Sequence, residues 1–273
     1  MDFERPEQTK TNCEARMVKM SGIKRYERIL NLFSNKSPEW TVSEMSGALE
    51  TSASTLYRLV RELVSVGMLE STVESKYRLG PLFIEYYRRI KLNDPLIRSG
   101  SIFLAPLCKQ IDVPCAVVLA RLYNGAVMCV ADDRSAQARF ETSYELGRPM
   151  PILRGATSKA VLSTMPPKVV RNFLTKKVGS TPEEISSIEK ELAFIRKSGI
   201  SETHGEVDAN LVGVAAPVRN SNLGVNASVS LILEKTVFTP ELRAPIYSAL
   251  SATAKIIENF MEQNDHTANA YSP

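Results

Sequence analysis

Between residues 23 and 33 the apolar side chains Ile23, Tyr26, Leu30 and Phe33 recur at helical spacing behind Ser21, a residue type that caps helix starts. This predicts a first helix ending near the polar turn at 34–38. Val42, Met45 and Leu49 share one face of a second, short helix over 42–49, with Thr41 or Ser43 as its cap. After a tight turn at Glu50, Thr51 and Ser52, a third helix over 53–66 places Leu56, Leu59, Val60 and Leu63 within roughly a 100° arc, the width of a buried stripe, and stops at Gly67. Two short strands, 68–70 and 76–79, flank a polar tip and close at Gly80-Pro81. Three helices followed by a hairpin predict a winged helix-turn-helix over residues 20–80.

The following stretch, 82–92, is amphipathic and predicts a linker helix within residues 81–95. After Asn93-Asp94-Pro95 another helix is expected to run to about residue 110, with a kink at Pro106. The pattern then changes. Branched apolar runs at 116–123 and 126–130 surround Asn124-Gly125, a strong hairpin signal, and further strands fit 212–218 and 225–233. Thr181-Pro182-Glu183-Glu184 supplies a cap, a first-turn proline and a capping-box glutamate to a helix that stops at Gly199. Thr239-Pro240 opens a last helix towards residue 263. The segment 96–263 is therefore expected to be an α+β domain, an antiparallel sheet flanked by helices, making the whole a mixed α/β two-domain chain. Residues 1–19 and 264–273 are expected to be mobile ends.

Composition changes this picture little. With 273 residues and 44% hydrophobic content the chain can build two cores, and a net charge of +4 neither requires nor opposes a nucleic-acid partner. Cys13, Cys108, Cys115 and Cys129 show no CxxC spacing, and only His204 and His266 could join them, so neither a metal nor a cofactor is expected. There is no GxSxG elbow and no HExxH, and neither histidine sits where a general base is needed, so no enzymatic activity is expected. No apolar stretch reaches the roughly 20 residues of a membrane span and no signal-peptide core opens the chain; a soluble, cytoplasmic protein is expected.

The third helix carries the chemistry. Opposite its apolar stripe lie Ser54, Arg58 and Arg61. Arginine pairs bidentately with guanine O6 and N7, and hydroxyls near a helix start reach phosphates or base edges. Taken alone such a face is an ordinary solvated surface. The helix and tight turn before it, and the hairpin after it with Lys76 and Arg78 positioned for phosphate or minor groove, instead match the geometry that reads double-stranded DNA.

The residues 25–30 (RYERIL), 42–45 (VSEM), 54–59 (STLYRL) and 77–80 (YRLG), then 146–149 (LGRP), 156–162 (ATSKAVL), 196–199 (RKSG) and 213–218 (GVAAPV), resemble the IclR family of bacterial transcription regulators. The resemblance runs from Lys24 to about Phe260. It adds Arg25, Ser43, Ser52, Thr55 and Tyr57 to the candidate DNA contacts. It implies a winged-helix domain, a linker helix and a GAF-like effector domain, assembled as a homodimer or dimer of dimers on a pseudo-palindromic operator. It also implies a small organic or aromatic acid as effector, held by Ala156, Thr157, Thr203, Gly213, Ser228 and Ser230.

Two of these positions have a physical reading of their own. Ser228 and Ser230 stand two apart in a strand and so share one face, which is a ligand side or, if the strand is an edge, solvent. A helix start at Thr157 offers free N–H groups and partial positive charge, suited to a carboxylate. The chain departs from the family pattern at 153–160 (LRGATSKA), where the usual histidine and second glycine are missing, and at Leu231-Ile232, which replace a Gly-Pro.

Overall fold

The computed structural model describes residues 22–270, and the chain divides into two compact units between Ile90 and Lys91. The expected mobile arm at 1–19 and the Ser21 cap lie outside the described residues.

The first unit runs α1 (Gly22–Leu30), β1 (Trp40–Thr41), α2 (Val42–Leu49), α3 (Ala53–Ser65), β2 (Leu69–Ser71) and β3 (Lys76–Leu79). Helix α1 ends at Leu30, before Phe33, which still packs against the core from the turn that follows. Of the two candidate caps of α2, Thr41 is the one used. Its Oγ1 accepts from the Glu44 N–H at 3.2 Å while the Glu44 carboxylate accepts from the Thr41 N–H at 2.7 Å, a reciprocal capping box. Leu56, Leu59, Val60 and Leu63 of α3 bury against Ile29, Val42, Met45, Leu49 and Leu69. Each such side chain contributes about 1.5–3 kcal/mol when fully buried. Helix α3 stops where Gly67 takes φ +77°, a left-handed conformation a side chain would oppose.

The hairpin is joined by a strand the hydrophobic pattern does not reveal. β1 pairs antiparallel with β3, Trp40 opposite Tyr77, giving the order β1-β3-β2. Two residues are too few to show a period, and the position is fixed by the Trp40 indole, which donates to the Leu32 carbonyl at 3.0 Å.

α4 (Leu82–Asn93) contains the boundary between the units. Beyond it come α5 (Pro95–Gly100), α6 (Leu104–Ile111), β4 (Ala116–Tyr123), β5 (Ala126–Arg134), β6 (Pro149–Met150), α7 (Ala156–Ser163), α8 (Pro167–Phe173), α9 (Pro182–Ser198), β7 (Ser201–His204), β8 (Leu211–Asn220), β9 (Val225–Glu234) and α10 (Pro240–Ala270). The single helix expected to kink at Pro106 is instead interrupted earlier, by a 3-10 turn at Ser101–Phe103. Pro106 then falls in the first turn of α6, where its missing N–H costs no hydrogen bond. α10 continues past residue 263 to Ala270, because 264–269 contains neither glycine nor proline to stop it; the expected C-terminal tail is thus helical up to that residue.

All six strands of the second sheet pair antiparallel in the order β6-β5-β4-β9-β8-β7. Asn124 and Gly125 both take positive φ, 45° and 79°, as the hairpin signal requires. The inner strands read as continuous apolar runs because both faces are covered. Val117, Leu119, Val229, Leu231, Val214 and Val218 pack into one core with α5, α6 and α10. Ala116, Val118, Ala120 and Ile232 join the opposite core, on the side where α7 and α9 lie.

Candidate functional site

Ser54, Tyr57, Arg58 and Arg61 are exposed on α3, with Thr55 half-buried beside them. At the turn into that helix Ser52 Oγ donates to Thr55 Oγ1 at 2.9 Å and lies 3.4 Å from Ser54 Oγ, so three hydroxyls cluster at one helix start. Ser43 is exposed in the first turn of α2, and Arg25 is half-buried on α1. Three of the cations have carboxylate partners. Arg58 Nη1 donates to Glu62 Oε1 at 3.1 Å, Arg78 Nε to Glu70 Oε1 at 2.6 Å, and Lys76 Nζ lies 3.5 Å from Glu74 Oε2. The Lys76 and Arg78 pairs of the wing are solvent-exposed and individually weak, so a phosphate can exchange with their carboxylates at small cost. The Arg58–Glu62 spacing of four is readable from the sequence. The donation of the Tyr26 hydroxyl to Glu62 Oε2 is not, because it joins α1 to α3.

In the second unit a narrow cleft of about 20 Å³, room for about one water molecule, lies at the start of α7. Ala156, Thr157, Thr203 and Gly213 line it together with Tyr144, Glu206 and Asp208. Thr203 on β7 accepts from the Ala156 N–H at 3.0 Å, satisfying the first free donor of the helix. Ser228 and Ser230 are absent from the lining. Both are fully buried on β9, an interior strand, which rules out a solvated edge. They lie opposite Pro217 and Ala215 of β8, and Ala215 packs with Ala156 and Ala160 of α7. Small residues here let the helix approach the sheet closely. Ser228 Oγ donates to the Thr157 carbonyl at 3.1 Å, while Ser230 Oγ has no hydrogen-bond partner.

An acidic loop carrying Glu206 and Asp208 closes the cleft. Glu206 Oε2 accepts from the Gly155 N–H at 3.0 Å, Glu206 Oε1 from Lys159 Nζ at 2.7 Å, and the Glu206 carbonyl from the exposed Arg154 at 2.6 Å. A carboxylate of the chain itself thus occupies the helix start. Burial alone would push the Glu206 carboxyl up, but Lys159, the Gly155 N–H and Arg154 together hold it below the usual carboxylate range. Asp208 accepts from Thr142 Oγ1, the Ser143 N–H and Ser143 Oγ, which fixes the other end of the loop. No sequence period marks these contacts, since they join segments more than 40 residues apart.

His204 is exposed at the end of β7 and shares Glu202 with Arg243 and the Tyr247 hydroxyl. Cys108, Cys115 and Cys129 are buried free thiols, and desolvation pushes Cys129 up to about 12. Cys13 lies outside the described residues, as do the side-chain surroundings of His266. Among the described residues no helix is long and apolar enough to cross a membrane.

Residues 23–72 match the IclR helix-turn-helix domain, and residues 93–259 match the bacterial transcriptional regulator IclR C-terminal domain. The chain belongs to the IclR family. It is a transcription regulator with an N-terminal helix-turn-helix DNA-binding domain and a C-terminal IclR effector domain. Among its relatives is the HTH-type transcriptional regulator KipR of Bacillus subtilis (strain 168), 24% identical over 218 residues, covering 78% of this chain and 86% of that protein. The uncharacterized HTH-type transcriptional regulator RhmR of Escherichia coli (strain K12) is 25% identical over 248 residues, 89% of this chain and 94% of that protein. The fold is shared with an IclR homolog from Microbacterium hydrocarbonoxydans crystallised with 4-hydroxybenzoate, with TM-score 0.74, 21% identity and coverage of 89% of this chain and 100% of that one. It is shared too with an IclR transcriptional regulator from Alicyclobacillus acidocaldarius, with TM-score 0.70, 20% identity and coverage of 95% and 100%.

Proposed function

We propose that this IclR-family regulator reads double-stranded DNA with the exposed face of α3, Ser54, Thr55, Tyr57, Arg58 and Arg61, and is controlled by a small molecule entering the cleft at α7. The observation that carries the DNA contacts is the exposure of Ser54, Tyr57, Arg58 and Arg61 beside the hydroxyl cluster at the helix start. Ser52, Ser43 and Arg25 flank it, and Lys76 and Arg78 of the wing supply phosphate contacts by exchanging their glutamate partners for DNA. Arg58→Ala is expected to cost about 1–3 kcal/mol in binding to a duplex selected by the unaltered protein, and to relax preference at one base pair. Unchanged affinity and preference in a gel-shift series would remove Arg58 from the reading face.

For the effector, the lining residues Ala156, Thr157, Thr203 and Gly213 make direct contact. Ser228 acts from beneath α7 by holding the Thr157 carbonyl, with Ser230 buried on the same face. A carboxylate effector, the class to which the 4-hydroxybenzoate bound by the Microbacterium relative belongs, has to displace Glu206 from the Gly155 N–H. A thermal-shift screen of aromatic and aliphatic acids tests this, with stabilisation by at least one acid expected. The occupied helix start also favours a second reading, a regulator that uses Glu206 in place of any ligand; it stands if no acid in the screen raises the melting temperature. Assembly as a homodimer or dimer of dimers on a pseudo-palindromic operator is supported by exposed apolar residues on α4, including Ile84 and Ile90, and is measured by light scattering. On this reading the chain has no catalytic activity, in keeping with its matches to the two IclR domains over residues 23–72 and 93–259.

A further inference from the structure

Within the first unit one acidic side chain has its two oxygens divided between two helices. Glu62 Oε1 accepts from Arg58 Nη1 at 3.1 Å, one turn earlier on α3, while Oε2 accepts from the Tyr26 hydroxyl of α1. An ordinary exposed pair at this spacing contributes only about 0.2–0.5 kcal/mol and leaves both side chains free to swing. Here the carboxylate is not free to swing. Tyr26 is half-buried and packs against the apolar core formed by α1, α2 and α3, so its hydroxyl is a fixed point. The phenol is held in its neutral, donating form, its acidity pushed below that of free tyrosine chiefly by the bond to Glu62 and also by burial.

We propose that Glu62 is a positioning residue that sets DNA specificity: moored by Tyr26, it aims the Arg58 guanidinium and makes it give up a good partner before it engages DNA. Exchanging the moored carboxylate for a phosphate swaps one anionic partner for another with little net gain, whereas a guanine edge at the preferred site accepts two hydrogen bonds with the rest of the interface in register. Random-sequence DNA is therefore penalised more than the preferred site. The negative charge also repels phosphates wherever Arg58 has not yet found its base. The inference rests on Arg58 being groove-facing.

The test compares a duplex selected by the unaltered full-length protein from a random pool with a scrambled duplex of equal length, across a salt series. Glu62→Gln is expected to tighten binding to the scrambled duplex by about threefold or more and to steepen the slope of log K against log salt towards one further phosphate contact, roughly 0.9. The preference ratio falls accordingly. Tyr26→Phe keeps the charge but removes the mooring, so the ratio falls with the slope unchanged. In an Arg58→Ala background Glu62→Gln is expected to leave the ratio unaltered. A ratio unchanged in both single variants overturns the proposal, and so does an equal effect of Glu62→Gln with and without Arg58, which would make it a generic repulsive charge. If Arg58→Ala by itself changes nothing, the reading of the α3 face fails first and the proposal falls with it. Circular dichroism checks that each variant folds, and Tyr26→Phe carries the test if Glu62→Gln does not.

Discussion

Arg121 on β4 reaches Asp94, the residue that follows α4, with Nη1 2.5 Å from Oδ2. Asp94 has a second duty as the cap of α5, accepting from the Ile97 N–H at 3.1 Å. One carboxylate therefore starts the first helix after the linker and ties that start to the sheet. Asp94→Asn retains an acceptor for the cap and loses the charge, while Asp94→Ala loses both. The alanine variant is expected to be less stable by about 1.5–3 kcal/mol in urea unfolding, and the asparagine variant by a smaller amount. Equal losses would assign the whole effect to the ion pair.

Gly155 takes φ +83° directly before α7, and a Cβ there would lie 2.8 Å from both the Tyr144 hydroxyl and a Val207 methyl. Gly155→Ala is expected to cost about 1–3 kcal/mol through the left-handed backbone and the two clashes together. Because the same segment donates to Glu206, any ligand-induced rise in melting temperature should shrink as well.

The serines of β9 should behave oppositely on truncation. Ser228→Ala removes the bond to the Thr157 carbonyl and is expected to destabilise by about 1 kcal/mol. Ser230→Ala removes a buried hydroxyl that has no partner and is expected to be neutral or stabilising. A clear loss of melting temperature in Ser230→Ala would show that the hydroxyl is in use.

The latch between Glu206 and Lys159 defines a pH window. The Glu206 carboxyl is depressed, against its own burial, by Lys159 and the Gly155 N–H, so its contribution is complete above the ordinary carboxylate value of about 4.3 and lost as pH falls through the lower folded value. Burial likewise opposes the charge on Lys159, but Glu191 and Glu206 raise it overall. Its contribution is complete below about 10.4 and is lost as pH rises through the higher folded value. Unfolding of wild type and Glu206→Gln across pH should differ most between these limits and converge at acid pH. Divergence that grows below pH 4 would contradict the assigned sign.

Local rules made much of the chain legible. Thr181 with Glu184 forms the capping box its spacing predicts; Thr41, one of the two candidate caps, caps α2; Asn124-Gly125 makes its turn; and the stripe Leu56, Leu59, Val60, Leu63 is buried with the polar side of α3 left outside. These features depend on residues within a turn or two of one another, so the sequence records them. β1, β6 and β7 escaped because two to four residues cannot display a period, and Pro106 misled because its cost depends on where the helix begins.

By itself the sequence determined which faces are apolar, where helices start and stop, and that one helix presents hydroxyls and guanidinium groups to the outside. Only the tertiary structure decided which partners those groups have: that Tyr26 and Arg58 share Glu62, that Glu206 sits at the start of α7, and that the serines of β9 lie under a helix. Each of these contacts joins segments that are distant along the chain, and hydrogen bonds of a few ångströms are set by how packed elements meet, which no local spacing encodes.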